Sequence, residues 1–131
     1  MMKKSCLLIL LVLLMTACAK IVTPVGGPKD VTPPKVVKEQ PANRSLHFHD
    51  KAIKITFNEF VVLNNPSKTV VVSPPLGTNP ELELVGKTVV IKLQDSLRQN
   101  TTYSIVLAET IKDYTEGNTI PIYEYTFPQA R

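Results

Sequence analysis

The chain has 131 residues, 44% of them hydrophobic and 20% charged, which is enough apolar material for one compact core and too little length for two ordinary domains. Fifteen basic residues against eleven acidic ones give a formal charge of +4, yet nowhere do Lys or Arg line up with interleaved aromatics, and Trp is absent. That pattern excludes a nucleic-acid surface of the usual basic kind.

In chain order, Lys3 and Lys4 precede an unbroken apolar run from Cys6 to Met15. A run of about 10 residues falls well short of the roughly 20 that span a bilayer, and with its basic flank it reads as the apolar region of an export signal. Met15-Thr16-Ala17-Cys18 resembles the lipobox of bacterial lipoproteins, a large aliphatic residue and two small ones before a cysteine, with Met15 in place of the usual Leu. The resemblance implies a signal peptide over residues 1–17, cleavage before Cys18, and acylation of the Cys18 thiol and its new amine. Membrane lipid is then the first partner, and several acyl chains give a stable anchor at about 0.8 kcal/mol per buried methylene.

Cys6 lies inside the signal and Cys18 is the only other cysteine, so the exported chain forms no internal disulfide. Loss of Lys3 and Lys4 leaves 13 basic against 11 acidic residues, a charge of +2. Residues 19–34 hold four prolines and two glycines, a composition that favours extended, solvated backbone, and Lys20, Lys29, Lys35 and Lys38 read first as solvated stalk charges. This tether reaches roughly 50 Å at about 3.3 Å per residue.

From residue 35 to 128 the hydrophobic period is two. Ile53, Ile55 and Phe57 alternate with Lys54 and Thr56; Val89, Ile91 and Leu93 with Val90 and Lys92; Tyr103, Ile105 and Leu107 with Ser104 and Val106; Tyr123, Tyr125 and Phe127 with Glu124 and Thr126. Three weaker strands are expected at Lys35–Glu39, Lys68–Val72 and Glu81–Val85, and no segment has the length and period of a helix. Turn residues separate them, among them Pro41-Ala42-Asn43, Ser73-Pro74-Pro75 and Glu116-Gly117-Asn118. About seven short strands predict an all-β, Ig-like antiparallel sandwich. Its expected core is Ile53, Ile55, Phe57, Leu84, Val89, Ile91, Leu93, Tyr103, Ile105, Leu107, Tyr125 and Phe127.

Leu97 to Tyr103 resembles the tyrosine corner of Greek-key sandwiches, with Tyr103 sending its hydroxyl back to the preceding crossover and Leu97 filling the base of the corner. With Asp30-Val31-Thr32-Pro33-Pro34, the run Ile53 to Glu59, and Ile111-Lys112-Asp113 before Glu116-Gly117-Asn118, the segment resembles bacterial Ig-like domains of the SbsA type. The lipobox and Val25-Gly26-Gly27-Pro28-Lys29-Asp30 add a resemblance to the N-terminal part of Bacteroidetes lipoproteins, in which such a module usually opens a longer envelope protein. The resemblance implies an outer-membrane lipoprotein and a role in spacing, presentation or recognition, with an envelope glycan or protein as the alternative partner. Ala19-Lys20-Ile21 lacks the acidic cluster resembling a surface-export signal in that group, which favours the periplasmic face.

Chemistry is sparse. His47 and His49, two residues apart beside Asp50, form a histidine pair that needs further ligands, with Glu59 a distant contributor, so a solvated pair is the simpler reading. Asp113 to Asn118 is rich in oxygen ligands but lacks EF-hand spacing, and a turn with Gly117 or Asn118 at positive φ explains it better. No nucleophile motif, zinc-protease motif or phosphate loop is present, so neither an enzyme nor a cofactor is expected. Asp95-Ser96-Leu97 resembles the short O-glycan acceptor of Bacteroidetes exported proteins, with Ser96 as the acceptor.

Overall fold

A computed structural model describes residues 19–46 and 48–129, together with the single positions Lys4 and Ile9. Of the segment read as an export signal only Lys4 and Ile9 are described, and Cys18 and His47 lie outside the described residues. Among the described residues from 19 onward, nine strands and one short helix succeed one another: β1 (Val36–Gln40), β2 (Ala52–Phe57), β3 (Val61–Leu63), α1 (Pro66–Thr69), β4 (Val70–Ser73), β5 (Glu81–Val85), β6 (Thr88–Lys92), β7 (Thr101–Leu107), β8 (Ile111–Asp113) and β9 (Tyr123–Gln129). All pairings are antiparallel, and the molecule is an Ig-like β-sandwich.

One sheet has the order β1-β2-β6-β5 and the other β4-β7-β9, with β3 and β8 forming a two-stranded pair. That pair continues the second sheet. Leu63 opposes Ile111, and Val70 opposes Leu107, so six residues on one strand face three on the other. The helical turn α1 takes up the surplus, entered through Asn65 at φ 44°. The ladder resumes through Asn64 N–H to the Thr110 carbonyl (2.7 Å) and Ala108 N–H to the Thr69 carbonyl (3.4 Å). Thr110 is fully buried at this bulge and donates its hydroxyl to the Thr69 carbonyl at 3.3 Å. Beyond it, Ile120 N–H donates to the Ile111 carbonyl, and Thr119 bridges Lys112, so β9 also has a short extension alongside β8.

The expected count of seven strands thus becomes nine because two long strands are broken by the bulge into pieces, and the expected strand at Lys68–Val72 begins at Val70, after the helical turn. The alternation in β2, β6, β7 and β9 places Ile53, Ile55, Phe57, Val89, Ile91, Tyr103, Ile105, Leu107, Tyr125 and Phe127 between the sheets, with Leu93 buried just past β6. Leu84 is the exception. It lies on β5, an edge strand, and is 37% exposed, because one of its flanks has no neighbouring strand to cover it. Phe48, Val61, Ile111 and Ile120 complete the buried core. Phe127 is the aromatic hub, with ring centroids of Phe48, Tyr103 and Tyr125 at 4.2, 5.6 and 6.0 Å.

Open sheet edges invite pairing with other chains, and two of the edge strands, β9 and β5, are guarded in different ways. The free edge of β9 is covered by the loop after β1: Arg44 N–H donates to the Thr126 carbonyl (2.8 Å), Thr126 N–H to the Asn43 side-chain oxygen (2.9 Å), and the Asn43 amide to the Glu124 carbonyl (2.9 Å). Glu39 accepts the Tyr123 hydroxyl and the Asn43 backbone N–H, while Tyr125 donates to the Pro41 carbonyl at 2.7 Å. Burial raises both phenols, helped at Tyr123 by its hydrogen bond to Glu39 and at Tyr125 by the Glu39 charge, which brings Tyr125 to about 12. Edge strand β5 instead carries Glu81 and Glu83 outward, the latter 2.5 Å from Lys92.

The placement of Ile55 and Leu84 has an energetic consequence. Truncating fully buried Ile55 to Ala should cost about 2 to 5 kcal/mol in urea denaturation, because a cavity remains in the core. Leu84→Ala should cost clearly less, and equal losses would contradict the edge position of Leu84.

Candidate functional site

The strand ends gather loops at two poles. At one pole the chain arrives from its N-terminal segment, because Val36 opposes Phe57 at the end of β2. The turn after β2, the Gly86-Lys87 turn and the Asp113–Asn118 hairpin meet there. Asn58 exchanges bonds with the Lys35 backbone, accepting Lys35 N–H on its side-chain oxygen (2.8 Å) and donating its own N–H to the Lys35 carbonyl (3.0 Å). Phe57 N–H donates to the Lys87 carbonyl, the Lys87 ammonium to the Asn58 carbonyl, and Tyr114 N–H to the Phe60 carbonyl. Lys87 also stands 5.2 Å from the Phe60 ring centroid.

Asp113 organises this pole. Its side chain is 2% exposed and ends β8, and its carboxylate accepts the amides of Glu116 (2.6 Å), Gly117 (2.7 Å) and Asn118 (3.0 Å). The geometry requires Gly117 to adopt φ 77°, which a side chain would resist. Burial pushes the Asp113 carboxyl up, but the three backbone N–H donors outweigh it and hold the group below the ordinary aspartate range. Asn118, fixed by that loop, donates its side-chain amide to the carbonyls of Asp30 (3.0 Å) and Thr32 (3.4 Å). Pro34 is buried, so packing of the domain reaches back into the segment assigned to the tether.

At the opposite pole lie the β1–β2 loop, the segment after β6, and Gln129, which pairs with Thr101 at the start of β7. The Tyr103 hydroxyl accepts the Arg98 N–H at 3.0 Å, and half-buried Leu97 packs against the core beside it. Ser96 is exposed. Asp95, the residue before it, accepts Thr78 N–H at 2.6 Å and is thereby tied to the preceding loop. His49 and Asp50 are exposed and share a shallow cleft with Lys51, Asp95, Ser96 and Gln129. Among the described residues, no three His, Cys, Asp or Glu side chains converge as metal ligands. The Asp113 oxygens face backbone amides and Glu59 sits half-buried in the turn after β2, at the other pole from His49.

Asp113 was readable only as a turn oxygen. The signal for its buried role is its place at the end of the apolar triplet Ile111-Lys112-Asp113 with Gly-Asn four and five residues on, the spacing at which one carboxylate can collect successive loop amides. Phe48 escaped because it is flanked by two histidines, and the Tyr125 bond to Pro41 because it joins residues 84 apart.

Two packed antiparallel sheets whose polar clusters cap loops, with loops gathered at two poles, define an Ig-like domain of the structural or binding kind. The chain belongs to the bacterial Ig-like domain family, whose model matches residues 30–128. Domains of this family are generally non-catalytic. Comparison with curated proteins gave no match. Among the described residues, no helix is long and apolar enough to cross a membrane.

The two polar clusters respond differently to substitution. Tyr103→Phe leaves the Arg98 amide without its partner and should cost on the order of 1 to 3 kcal/mol by chemical denaturation. Asp113 has a depressed folded pKa, so its stabilisation is complete above the unfolded aspartate value of about 4 and is lost as pH falls through the folded value. Asp113→Asn should therefore melt lower than the parent at pH 7, and the gap should narrow below about pH 4. A gap that stays constant with pH would contradict the carboxylate's role.

Proposed function

We propose that this protein is a lipid-anchored envelope protein of the outer membrane whose Ig-like domain acts as a non-catalytic spacer or presentation module. The anchor is Cys18, acylated after removal of residues 1–17, and the linkage to lipid runs through residues 19–34. The observation that carries the spacer reading is the polarity of the domain: the chain enters at the pole of Asp113 and reaches Gln129 at the other, so the sandwich interposes its whole length between its two ends. The outward faces fit such a role, with Lys54, Lys92, Glu81 and Glu83 on one sheet and Thr102 and Glu124 on the other.

Within this reading Ser96 is an O-glycan acceptor. Its exposure at the pole away from the anchor leaves it accessible to a transferase. Intact-mass measurement of the protein from its native host should show a glycan increment that Ser96→Ala removes, and a bare mass in the parent would end the assignment.

Metabolic labelling with a clickable fatty acid tests the anchor. The parent should take up label and fractionate with outer membranes, and Cys18→Ala should lose both. An unlabelled, soluble parent would overturn the lipid-anchored reading and leave a secreted Ig-like domain.

A further inference from the structure

Three loops leave large apolar side chains in solvent at one pole of the sandwich. Phe60, in the turn after β2, is 58% exposed; Tyr114, in the hairpin after β8, is 71% exposed; Val85, at the end of β5, is 59% exposed. These loops are tied together by Tyr114 N–H to the Phe60 carbonyl and by Lys87, which spans the Phe60 ring and the Asn58 carbonyl. The same pole receives the chain from its N-terminal segment, held by Asn118 on the carbonyls of Asp30 and Thr32. Exposed aliphatic residues such as Leu46, Val71 and Ile122 are scattered over the surface in the ordinary way, but among the described residues both exposed aromatics, Phe60 and Tyr114, lie at this one pole, with Lys87 beside the Phe60 ring.

We propose that this pole is a membrane-contact tip, with Phe60, Tyr114 and Val85 seated in the headgroup interface of the bilayer that holds the lipidated Cys18. The inference rests on the lipid-anchored reading and adds an orientation to it: the sandwich stands upright and presents the pole of Ser96 and Gln129 away from the membrane. Aromatic rings with polar tips, and lysines with long apolar stems, are the side chains that settle at that level of a bilayer.

The tether permits the contact. Asp30, where the Asn118 clamp begins, lies twelve positions beyond Cys18. Extended, they reach about 40 Å; relaxed, a flexible chain of that length averages about 20 Å. The tip therefore samples the surface at a millimolar effective concentration, and a weak interfacial preference suffices to keep it there. Charge contributes little, because Lys35 and Lys87 are offset at this pole by Glu59 and Glu116. The bilayer contact is accordingly an apolar one that zwitterionic lipid supports and salt leaves intact.

Because the chain contains no Trp, a single introduced indole reports unambiguously. Phe60→Trp and Tyr114→Trp each exchange one exposed aromatic for another, and Leu46→Trp, 74% exposed in the β1–β2 loop, places the reporter at the opposite pole. The full-length lipidated protein, extracted from membranes, is reconstituted into phosphatidylcholine vesicles with and without brominated acyl chains. A seated tip gives at least twofold quenching of the indole emission at positions 60 and 114 by brominated lipid, unchanged in high salt, and none at position 46. Protein that floats with the vesicles but shows no quenching at positions 60 and 114 overturns the tip while leaving the anchor in place. Emission that shifts to the blue with protein density instead, without quenching, overturns it in favour of a contact between copies. Protein that does not float removes the anchor and the tip together.

Discussion

Phe127 is the point on which this domain closes. Its ring meets those of Phe48, Tyr103 and Tyr125, side chains drawn from a loop, from β7 and from its own strand, and no cysteine among the residues downstream of Cys18 adds a covalent staple. The cluster also fixes the loops beyond the core. The Tyr103 ring packs inward while its hydroxyl takes the Arg98 amide, and the Tyr125 ring packs beside it while its hydroxyl donates to the Pro41 carbonyl. Each tyrosine therefore couples burial to a hydrogen bond, and the loop held by Tyr125 is the one that covers the open edge of β9. Packing, loop position and protection from edge pairing share one set of aromatic side chains.

Much of this was legible from period-two alternation alone. In β2, β6, β7 and β9 each alternating residue faces either the opposite sheet or solvent, and the tyrosine at the head of β7 is preceded by the turn that its hydroxyl reaches. Elsewhere the local pattern was ambiguous. β3 and β8 are three residues each, too short to establish a period, and they exist because a helical turn and a Thr110 bulge interrupt longer strands. Leu84 alternates as faithfully as Val89, but burial on a strand depends on what lies beside it, and β5 is an edge. Asp113 was legible as a turn former and not as a buried carboxylate, since that role depends on three amides brought back to it through a left-handed glycine. Contacts between residues more than 80 apart, such as Asn118 with Asp30 and Tyr123 with Glu39, leave no trace in local sequence.

The two poles differ in kind. The Asp113 pole is built from backbone amides converging on one carboxylate and from loop backbones bonded to one another, and it grips the incoming chain at Asp30, Thr32 and Lys35. The other pole is held by side-chain hydroxyls and by Asp95, and it carries the exposed residues Ser96, His49 and Asp50. The two ends of the domain are thereby fixed relative to one another: the chain enters at one pole and β9 ends at the other. That directional property is what the proposed spacer reading draws on.

The covalent state of the mature N-terminus decides whether the domain is held at a membrane. Intact and tandem mass spectrometry of protein extracted from host membranes should find a chain that begins at Cys18 and carries acyl increments on that residue alone. A mature chain with an unmodified Cys18, or one cleaved elsewhere, would contradict the lipid-anchored account and leave the Ig-like domain without its membrane.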